Sequence, residues 1–312
     1  MKLTSLQNAI ATHLRDGDSV ALGLQMEQMI PFAAGHEIIR QKKRDLRLIG
    51  PISDCLFDQL IGAGCVIDVV AAWVGNVMMG SAYNFRRAVE EANPGAPGEK
   101  LRVFDLTNFT VALALQAGAM GVPFLPTRTA RGSDIPKGNH FFSEIMSPFA
   151  NESGEREMLY AVRAMVPDVT IVHVQRADEH GNAHCWANFG VMLEGVRAAK
   201  KVILCAEEIV APEFIASDPN RTVIPGFLVT AVCPTPLGAH PSPVQGYYKR
   251  DDAFFREYHL STKTPQDFAA YRAKWIDGVK DVREYAARLG PERVASLQVK
   301  EHAYAAPTDF GY

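Results

Sequence analysis

The chain of 312 residues is 47% hydrophobic and carries a formal net charge of −3, so it can bury a full core without a disulfide or metal staple. This charge provides no basic field for nucleic-acid phosphates or anionic membranes, which makes both classes of partner poor candidates. Polar residues interrupt positions 1–18, where a signal peptide would be apolar, and no later run could span a bilayer. These features predict a cytoplasmic protein.

Apolar segments rich in Val, Ile and Leu alternate with helical patterns along most of the chain, which is typical of a parallel sheet with helices on its faces. Thr4 is predicted to cap the first helix, and Pro31 is predicted to open the second. In the first 126 residues the pattern predicts helices at 4–15, 31–43, 54–61, 83–92 and 107–120, strands at 19–22, 46–50, 66–72 and 102–106, and an edge or irregular extended segment at 122–126.

The second half of the chain begins with residues 128–153, which are rich in Gly, Pro, Ser and Asn and predict a long loop. Further on, the pattern predicts strands at 169–174, 202–206 and 228–233, a turn at 178–182, and helices at 265–275 and 282–289. Gly290 and Pro291 are expected to end the last helix. Without an internal repeat, residues 1–312 are predicted to form one α/β domain, an open and mostly parallel sheet with helices on both faces.

The cysteines indicate a reducing environment. They lie far apart, form no CxxC pair, and each sits in or beside an apolar stretch. We therefore expect buried, reduced thiols, as in a cytosolic enzyme. The five residues are Cys55, Cys65, Cys185, Cys205 and Cys233.

Several motifs with known chemistry are absent from the sequence. It contains no GxxxxGK phosphate loop, no GxGxxG that opens a helix after a strand, and no GxSxG nucleophile turn. Kinase, nicotinamide dehydrogenase and α/β-hydrolase functions are therefore disfavoured.

The candidate site residues follow predicted strands, because ligands of an open parallel sheet bind at the carboxyl ends of its strands. Glycines there would allow a ligand to approach the backbone, although glycine is also common in ordinary turns. The candidates are Gly23 and Gln25 after the first strand, Gly75, Asn76, Gly80 and Ser81 after the third, Asn108 after the fourth, Glu207 and Glu208 after residues 202–206, and Gly238, His240 and Ser242 after residues 228–233.

The polar candidates each have a structural alternative. Glu207 and Glu208 could supply a base or nucleophile, or could be carboxylates at the start of a helix, stabilised by its dipole. Gln25 and Asn108 are neutral donors suited to a carboxylate or thioester oxygen, but loop hydrogen bonding would use the same groups. His240 lies in a loop bounded by glycine and proline, where a hydrogen-bonded structural histidine is as reasonable as a site residue.

A metal site at His180, His184 and Cys185 is not expected. Histidines four residues apart converge on one face only in a helix, and the intervening Gly181 and Asn182 predict a turn.

Five segments of the sequence stand in a distinctive order and spacing. They are residues 16–23 (DGDSVALG) with Pro31, residues 122–126 (VPFLP) with Gly132 and Ser133, residues 205–209 (CAEEI), residues 224–226 (IPG) and residues 238–242 (GAHPS). Taken together, these segments resemble the alpha subunit of family I coenzyme A transferases, of the glutaconate CoA-transferase type, over nearly the whole chain. Leu24 and Gln25 stand where the family has Gly-Phe, so the acyl specificity does not carry over.

The resemblance implies a ping-pong reaction between an acyl-CoA and a carboxylic acid, with CoA thioesters as substrates and no permanently bound cofactor. The nucleophilic glutamate of this family lies on the beta chain of the enzyme, and this chain lacks the Ser-Glu-Asn-Gly motif that carries it. The implied assembly is α2β2 or larger. This chain would contribute crevice walls from the candidate residues, with Gly132 and Ser133 added.

Two alternatives remain open at this stage. Some relatives on this fold open cyclic-ketone CoA esters with water, but they carry a carboxylate in the segment where this chain has Asn108, and a general base for water must titrate. A noncatalytic ligand-sensing subunit is the other alternative, since fold alone does not fix function.

Overall fold

The computed structural model describes residues 2–80 and 82–299. Within those residues the chain forms a nine-stranded main sheet and a separate three-stranded sheet. The strands are β1 (Ser19–Ala21), β2 (Leu46–Ile52), β3 (Val66–Trp73), β4 (Arg102–Asp105), β5 (Phe124–Thr127), β6 (Phe142–Ala150), β7 (Arg156–Arg163), β8 (Val169–Ala177), β9 (Ala183–His184), β10 (Val202–Ile209), β11 (Thr222–Ile224) and β12 (Ala231–Pro234).

Helices connect most of these strands. They are α1 (Leu6–His13), α2 (Phe32–Arg40), α3 (Asp54–Gly62), α4 (Tyr83–Glu90), α5 (Asn108–Met120), α6 (Met192–Ala198), α7 (Pro212–Ala216), α8 (Asp252–Leu260), α9 (Pro265–Arg272), α10 (Val282–Leu289) and α11 (Pro291–Leu297). A π-helical turn, Ala273–Asp277, continues α9.

The core of the main sheet consists of parallel strands in the spatial order β12, β10, β8, β1, β2, β3, β4. Beyond the end of β1, strand β9 pairs antiparallel with β8, and β11 pairs antiparallel with β9. Strand β8 is buried along almost its full length, as expected for a strand covered by helices on both faces. The prediction of an open, mostly parallel α/β sheet is confirmed.

The path of the chain places helices on both faces. From β1 to β4 each connection moves in one direction across the sheet, whereas the connections from β4 through α5 to β8, and from β8 to β10, move in the other. Because crossovers between parallel strands are right-handed, α2, α3 and α4 cover one face while α5 and α6 cover the opposite one.

Local sequence sets the ends of the helices that lead away from the sheet. Helix α1 begins after Ser5, whose Oγ accepts a hydrogen bond from Asn8 N at 3.1 Å, so the cap is Ser5 and the prediction of Thr4 was wrong. Helix α5 begins with a capping box between Thr107 and Thr110, which satisfies backbone N–H groups at its first turn.

The predicted long loop at 128–153 was wrong in its second half, because β6 occupies Phe142–Ala150 and pairs with β7. Met146 and Phe149 of β6 are exposed, so the strand lacks the apolar alternation by which buried strands are recognised. Helices α6 and α8 were also missed. Helix α10 ends at Leu289, before Gly290, as predicted. It is not the last helix, because Pro291 begins α11, and proline is also favoured in a first turn.

The prediction for the cysteines is confirmed, since all five are free and buried. Burial raises the pKa of Cys65, Cys185 and Cys205 to about 12. Thiols held in the protonated form in an apolar core are chemically inert.

Candidate active site

The switch point of the main sheet lies between β1 and β8, where the strand order reverses direction. Ligands of open parallel sheets bind beyond the carboxyl ends of such strands. A ligand crevice is therefore expected between residues 22–30, which follow β1, and residues 185–191, which follow β9. Val191 N donates to Leu24 O at 2.8 Å and joins the two loops.

Gly23 lies in the loop that follows β1 and is required there by a close contact. Its φ is +69°, and a Cβ at this position would lie 2.7 Å from Cβ and 2.9 Å from Cα of Ser53. Ser53 in turn donates its hydroxyl to Leu22 O at 3.0 Å. The glycine therefore allows the ends of β1 and β2 to approach each other.

Gln25 is almost fully buried, at 2% exposure, between the two loops. Its Nε2 donates to Met29 Sδ at 3.6 Å and to Cys185 Sγ at 3.4 Å. Sulfur is a weak acceptor. The amide is therefore not committed to a strong partner and would gain by donating to a carboxylate or thioester oxygen.

The loop after β3 is a tight turn that uses its own polar groups. Asn76 donates its side-chain amide to Phe255 O at 3.0 Å, and its Oδ1 accepts from Met78 N and Met79 N, each at 3.2 Å. Gly80 has a φ of +89°. Gly75 is needed because a Cβ there would lie 2.6 Å from Gly80 O.

These contacts indicate that Asn76 shapes the turn rather than offering a free amide to a ligand. The neighbouring candidate Ser81 lies outside the described residues.

Asn108 is the exposed first residue of α5, directly beyond the end of β4. Asn139 donates its amide to Asp105 O at 2.8 Å, which brings the loop at 134–139 beside this strand end. An open groove of about 370 Å³ separates the loop from β4. Gly132, with a φ of +77°, and Ser133 lie on the exposed turn that precedes this loop.

Glu207 lies within β10, so neither a position after the strand nor the alternative of a helix-start carboxylate is correct. Its Oε1 is 2.7 Å from both His173 Nε2 and the Tyr248 hydroxyl, and its Oε2 accepts from Leu237 N at 2.8 Å. The side chain is only 5% exposed. The carboxylate is therefore satisfied within the chain and holds the turn after β12.

The neighbouring Glu208 points to a different environment. Its Oε2 is 3.0 Å from Arg176 Nε and its side chain is 44% exposed. The guanidinium of Arg176 also lies 5.0 Å from the Phe214 ring. Glu208 thus belongs to a surface cluster of charged and aromatic groups.

His240 is buried and engaged on both ring nitrogens, with Nδ1 2.8 Å from the Tyr285 hydroxyl and Nε2 3.0 Å from Asp251 Oδ2. Burial lowers the pKa of His240. Burial also pushes the pKa of Asp251 upward, but the hydrogen bonds from His240 and Arg293 outweigh it and hold that pKa well below its usual range. These contacts agree with the structural alternative for His240.

Gly238 and Ser242 connect the turn after β12 to the crevice loops. Gly238 O accepts from Ala33 N at 2.8 Å, and a Cβ at Gly238 would lie 2.6 Å from Thr235 O. Ser242 donates to Glu27 O at 2.6 Å. Ser242 therefore fixes the loop that carries Gln25, while Gly238 supports the start of α2.

Sequence reasoning missed two groups beside the crevice. Asp54, fully buried, has a φ of +47° and pairs with Arg250, which is 196 residues away. Ala187, in the loop at 185–191, has a φ of +91°, which is unusual for alanine and marks a constrained segment. The sequence gives no signal for either, because the partner of Asp54 is distant in the chain and alanine rarely adopts left-handed backbone.

The structure therefore divides the candidates into three groups. Gly23 and Gln25 lie at the switch point, and Ser242 binds the loop that carries them. Asn108 lies with the loop of Gly132 and Ser133 at the end of β4. The Glu207 side chain, Gly238 and His240 are buried beside the turn after β12. Gly75, Asn76 and Gly80 make the turn between the first two groups.

Residues 2–80 and 82–299 contain no cluster of three or more His, Cys, Asp or Glu side chains with the geometry of a metal site. His184 instead places Nε2 3.0 Å from Ile215 O. Over the same residues, no helix combines the length and the apolar composition that a membrane span requires.

Comparison with known proteins gives consistent matches over nearly the full length. The family model for coenzyme A transferase matches residues 3–234. A 3-oxoadipate CoA-transferase subunit from Pseudomonas knackmussii is 38% identical over 92% of this chain and 98% of its own length. The glutaconate coenzyme A-transferase structure from Acidaminococcus fermentans superposes with a TM-score of 0.87 and 32% identity, covering 97% of both chains.

A more distant relative has a different name. The IpdA chain of the cholesterol ring-cleaving hydrolase from Rhodococcus jostii is 28% identical over 94% of this chain and 98% of its own length. The group of similar proteins thus includes subunits named for hydrolysis as well as for transfer.

Proposed function

The chain belongs to the coenzyme A transferase family, as its motifs predicted, and on that premise we propose that it acts with a beta subunit that carries the nucleophilic glutamate. Its relatives are named as individual subunits of CoA-transferases, and the chain is a CoA-transferase subunit of this type. We further propose that its partner is the beta subunit and that the reaction passes through covalent intermediates on the partner's glutamate.

In the proposed reaction the partner's glutamate attacks the thioester carbonyl of an acyl-CoA, the CoA thiolate leaves, and a mixed anhydride forms. The thiolate then attacks the glutamyl carbonyl of the anhydride, which releases the first carboxylic acid and leaves a glutamyl-CoA thioester. An acceptor carboxylate reverses both steps and departs as the new acyl-CoA. The thioester energy is retained in each covalent intermediate because water does not take part.

The observation that carries the proposal is the hydrogen bonding of Glu207, a carboxylate that the sequence offered as a possible nucleophile. Both of its oxygens already accept hydrogen bonds within the chain, from His173 or Tyr248 and from Leu237. A carboxylate held in this way is a poor nucleophile for a thioester outside the core. This supports a nucleophile supplied by the partner subunit.

The contribution of this chain would be to bind and orient. Gln25 would donate its amide to an oxygen of the acyl group, and Asn108 would do so from the first turn of α5, where the helix dipole also favours negative charge. Gly23 would keep the approach to the backbone open. We further propose that CoA thioesters are substrates rather than resident cofactors, that the assembly is α2β2 or larger, and that the enzyme works in the cytoplasm.

Hydrolysis of a CoA thioester is the second candidate, because the IpdA relative is named as part of a hydrolase. A hydrolase needs a group that removes a proton from water. Asn108 does not titrate, so the segment at the start of α5 favours transfer.

Co-expression with a candidate beta subunit tests the proposal. Native mass spectrometry should recover the two chains in equal amounts, and the complex should form a new acyl-CoA only when acyl-CoA and an acceptor acid such as acetate or succinate are both present. Release of free CoA without an acceptor would favour hydrolysis. Turnover by this chain alone would overturn the assignment of the nucleophile to the partner.

A further inference from the structure

Two loops at the crevice hold non-glycine residues in left-handed backbone. Met26 and Met29, in the loop after β1, have φ values of +63° and +49°, and Asp54, after β2, has a φ of +47°. Such conformations cost free energy and persist only where surrounding contacts enforce them. Contacts with the rest of the chain must therefore hold these two loops in their observed conformations.

One side chain reaches both loops. The guanidinium of Arg250 places Nη2 3.0 Å from Asp54 Oδ2 and Nη1 3.2 Å from Glu27 Oε2. Its Nε lies 3.2 Å from Asp252 Oδ1, and the group stacks 4.0 Å from the centre of the Phe255 ring. Arg250 is only 16% exposed and Asp54 is fully buried, so this pair is little screened by solvent. Glu27 and Asp252 are 48% and 58% exposed, so their pairs with Arg250 are more strongly screened.

Asp54 extends the connection to a third loop. Its side chain is fully buried, and its Oδ1 accepts from Val77 N, in the turn after β3, at 3.4 Å. Burial raises the pKa of Asp54, while the Arg250 guanidinium opposes that shift. A buried carboxylate without this cation would be costly.

We propose that Arg250 is a positioning residue for CoA transfer, because its guanidinium clamps the loops after β1 and β2 and, through Asp54, the turn after β3 in the geometry that forms the acyl crevice. It acts on the reaction by fixing the loop that carries Gln25 and does not itself touch the substrate. This inference rests on the proposed function, since it takes residues 22–30 as a crevice wall.

The planar fork of arginine is suited to this role. Two terminal nitrogens can pair with carboxylates on two different loops at once, whereas the single ammonium group of lysine is a point charge on a flexible stem. Lysine at position 250 would therefore keep the pair with Asp54 and lose much of the link to Glu27.

A matched control exists in Arg40, at the end of α2. Its side chain is 17% exposed and pairs with Glu37, whose side chain is 5% exposed, at 2.7 Å. Arg40 thus resembles Arg250 in burial and in its carboxylate partner, but its bonds join neighbouring residues of one helix and Ile276 O rather than the crevice loops.

The test compares Arg250→Gln, Arg250→Lys, Asp54→Asn and Arg40→Gln in the complex with the beta subunit. Hydrogen exchange of residues 22–30 and 76–80 should accelerate at least tenfold in Arg250→Gln, less in Arg250→Lys, and remain at the wild-type rate in Arg40→Gln. The kcat/KM for the acceptor acid should fall roughly tenfold or more in Arg250→Gln and Asp54→Asn, with Arg250→Lys between them and wild type.

The inference would be overturned if Arg250→Gln and Arg40→Gln both lost stability and showed equal exchange rates in residues 22–30 and 76–80. Arg250 would then have only a structural role. Should Arg250→Gln fail to fold, the same comparison in Arg250→Lys and Asp54→Asn decides the question. The exchange measurement requires no turnover, so absence of CoA transfer in the wild-type complex would refute the proposed function and leave this test of the clamp intact.

Discussion

Ser53 occupies the space into which a side chain at Gly23 would project, with its Cβ 2.7 Å and its Cα 2.9 Å from the Cβ position of that residue. The second distance involves backbone, which cannot move aside without displacing the end of β2. The left-handed φ of +69° at Gly23 adds a second reason for glycine at this position.

Gly23→Ala should therefore destabilise the chain by about 2–4 kcal/mol, from overpacking together with backbone strain. Gly17→Ala is the matched control, because Gly17 also has a positive φ, +82°, but has nothing within 4 Å of its Cβ position. The control should lose only about 1 kcal/mol. Urea unfolding of the two variants measures the difference, and equal losses would show that the contact with Ser53 is unimportant.

Glu207→Gln should reduce the stability of the chain without reducing the rate of CoA transfer by the folded complex. It disturbs a buried network with His173 and Tyr248 and should cost about 1–3 kcal/mol, whereas Glu208→Gln, at a 44% exposed side chain, should cost at most about 1 kcal/mol. Turnover per folded complex should stay close to wild type in both. An inactive Glu207→Gln complex of normal stability would instead identify Glu207 as a catalytic group.

The stability of the chain should fall in acid because of His36. Burial lowers the pKa of His36 to about 3 from an ordinary value of 6.5. The folded chain therefore keeps this histidine neutral, while the unfolded chain takes up a proton below pH 6.5. Stability is fully present above pH 6.5 and is lost as the pH falls towards 3, by up to about 1.4 kcal/mol per pH unit for this group.

Urea unfolding between pH 7 and pH 4 measures this slope, to which the buried His240 adds in the same direction. His36→Gln should flatten the dependence, whereas His180→Gln, at a histidine with a 64% exposed side chain, should leave it unchanged. An unchanged slope in His36→Gln would contradict the assignment.

The cysteines should not react with a thiol reagent at neutral pH while the chain is folded. Burial raises the pKa of Cys65, Cys185 and Cys205 to about 12 and that of Cys55 and Cys233 above its ordinary value as well, and the reactive species is the thiolate. Absorbance labelling should detect no thiol of this chain in the native state and all five in denaturant. Rapid labelling of one native thiol would reveal an opening of the core.

The sequence predicted the main sheet well because its strands are short apolar runs separated by helical periods, as between β1 and β4. It predicted the separate sheet poorly, because Met146 and Phe149 of β6 are exposed and give no buried face to detect. Helices α6 and α8 were missed, and much of their stability comes from tertiary packing that no local pattern reveals.

For the site, the rule that ligands bind at strand ends selected Gly23 and Gln25, and the structure places both at the switch point of the sheet. It could not separate them from Glu207, because the length of β10 decides whether that carboxylate follows the strand or lies within it. Nor could it find Arg250, whose importance depends on a contact with Asp54 across 196 residues of chain.

The most direct test of the covalent route is the mass of each chain after the complex is incubated with acyl-CoA and the small molecules are removed. We expect an unmodified mass for this chain and a hydroxylamine-sensitive CoA adduct on the beta subunit. A CoA adduct on this chain, mapped to Glu207 or Glu208, would contradict the proposed role of the partner.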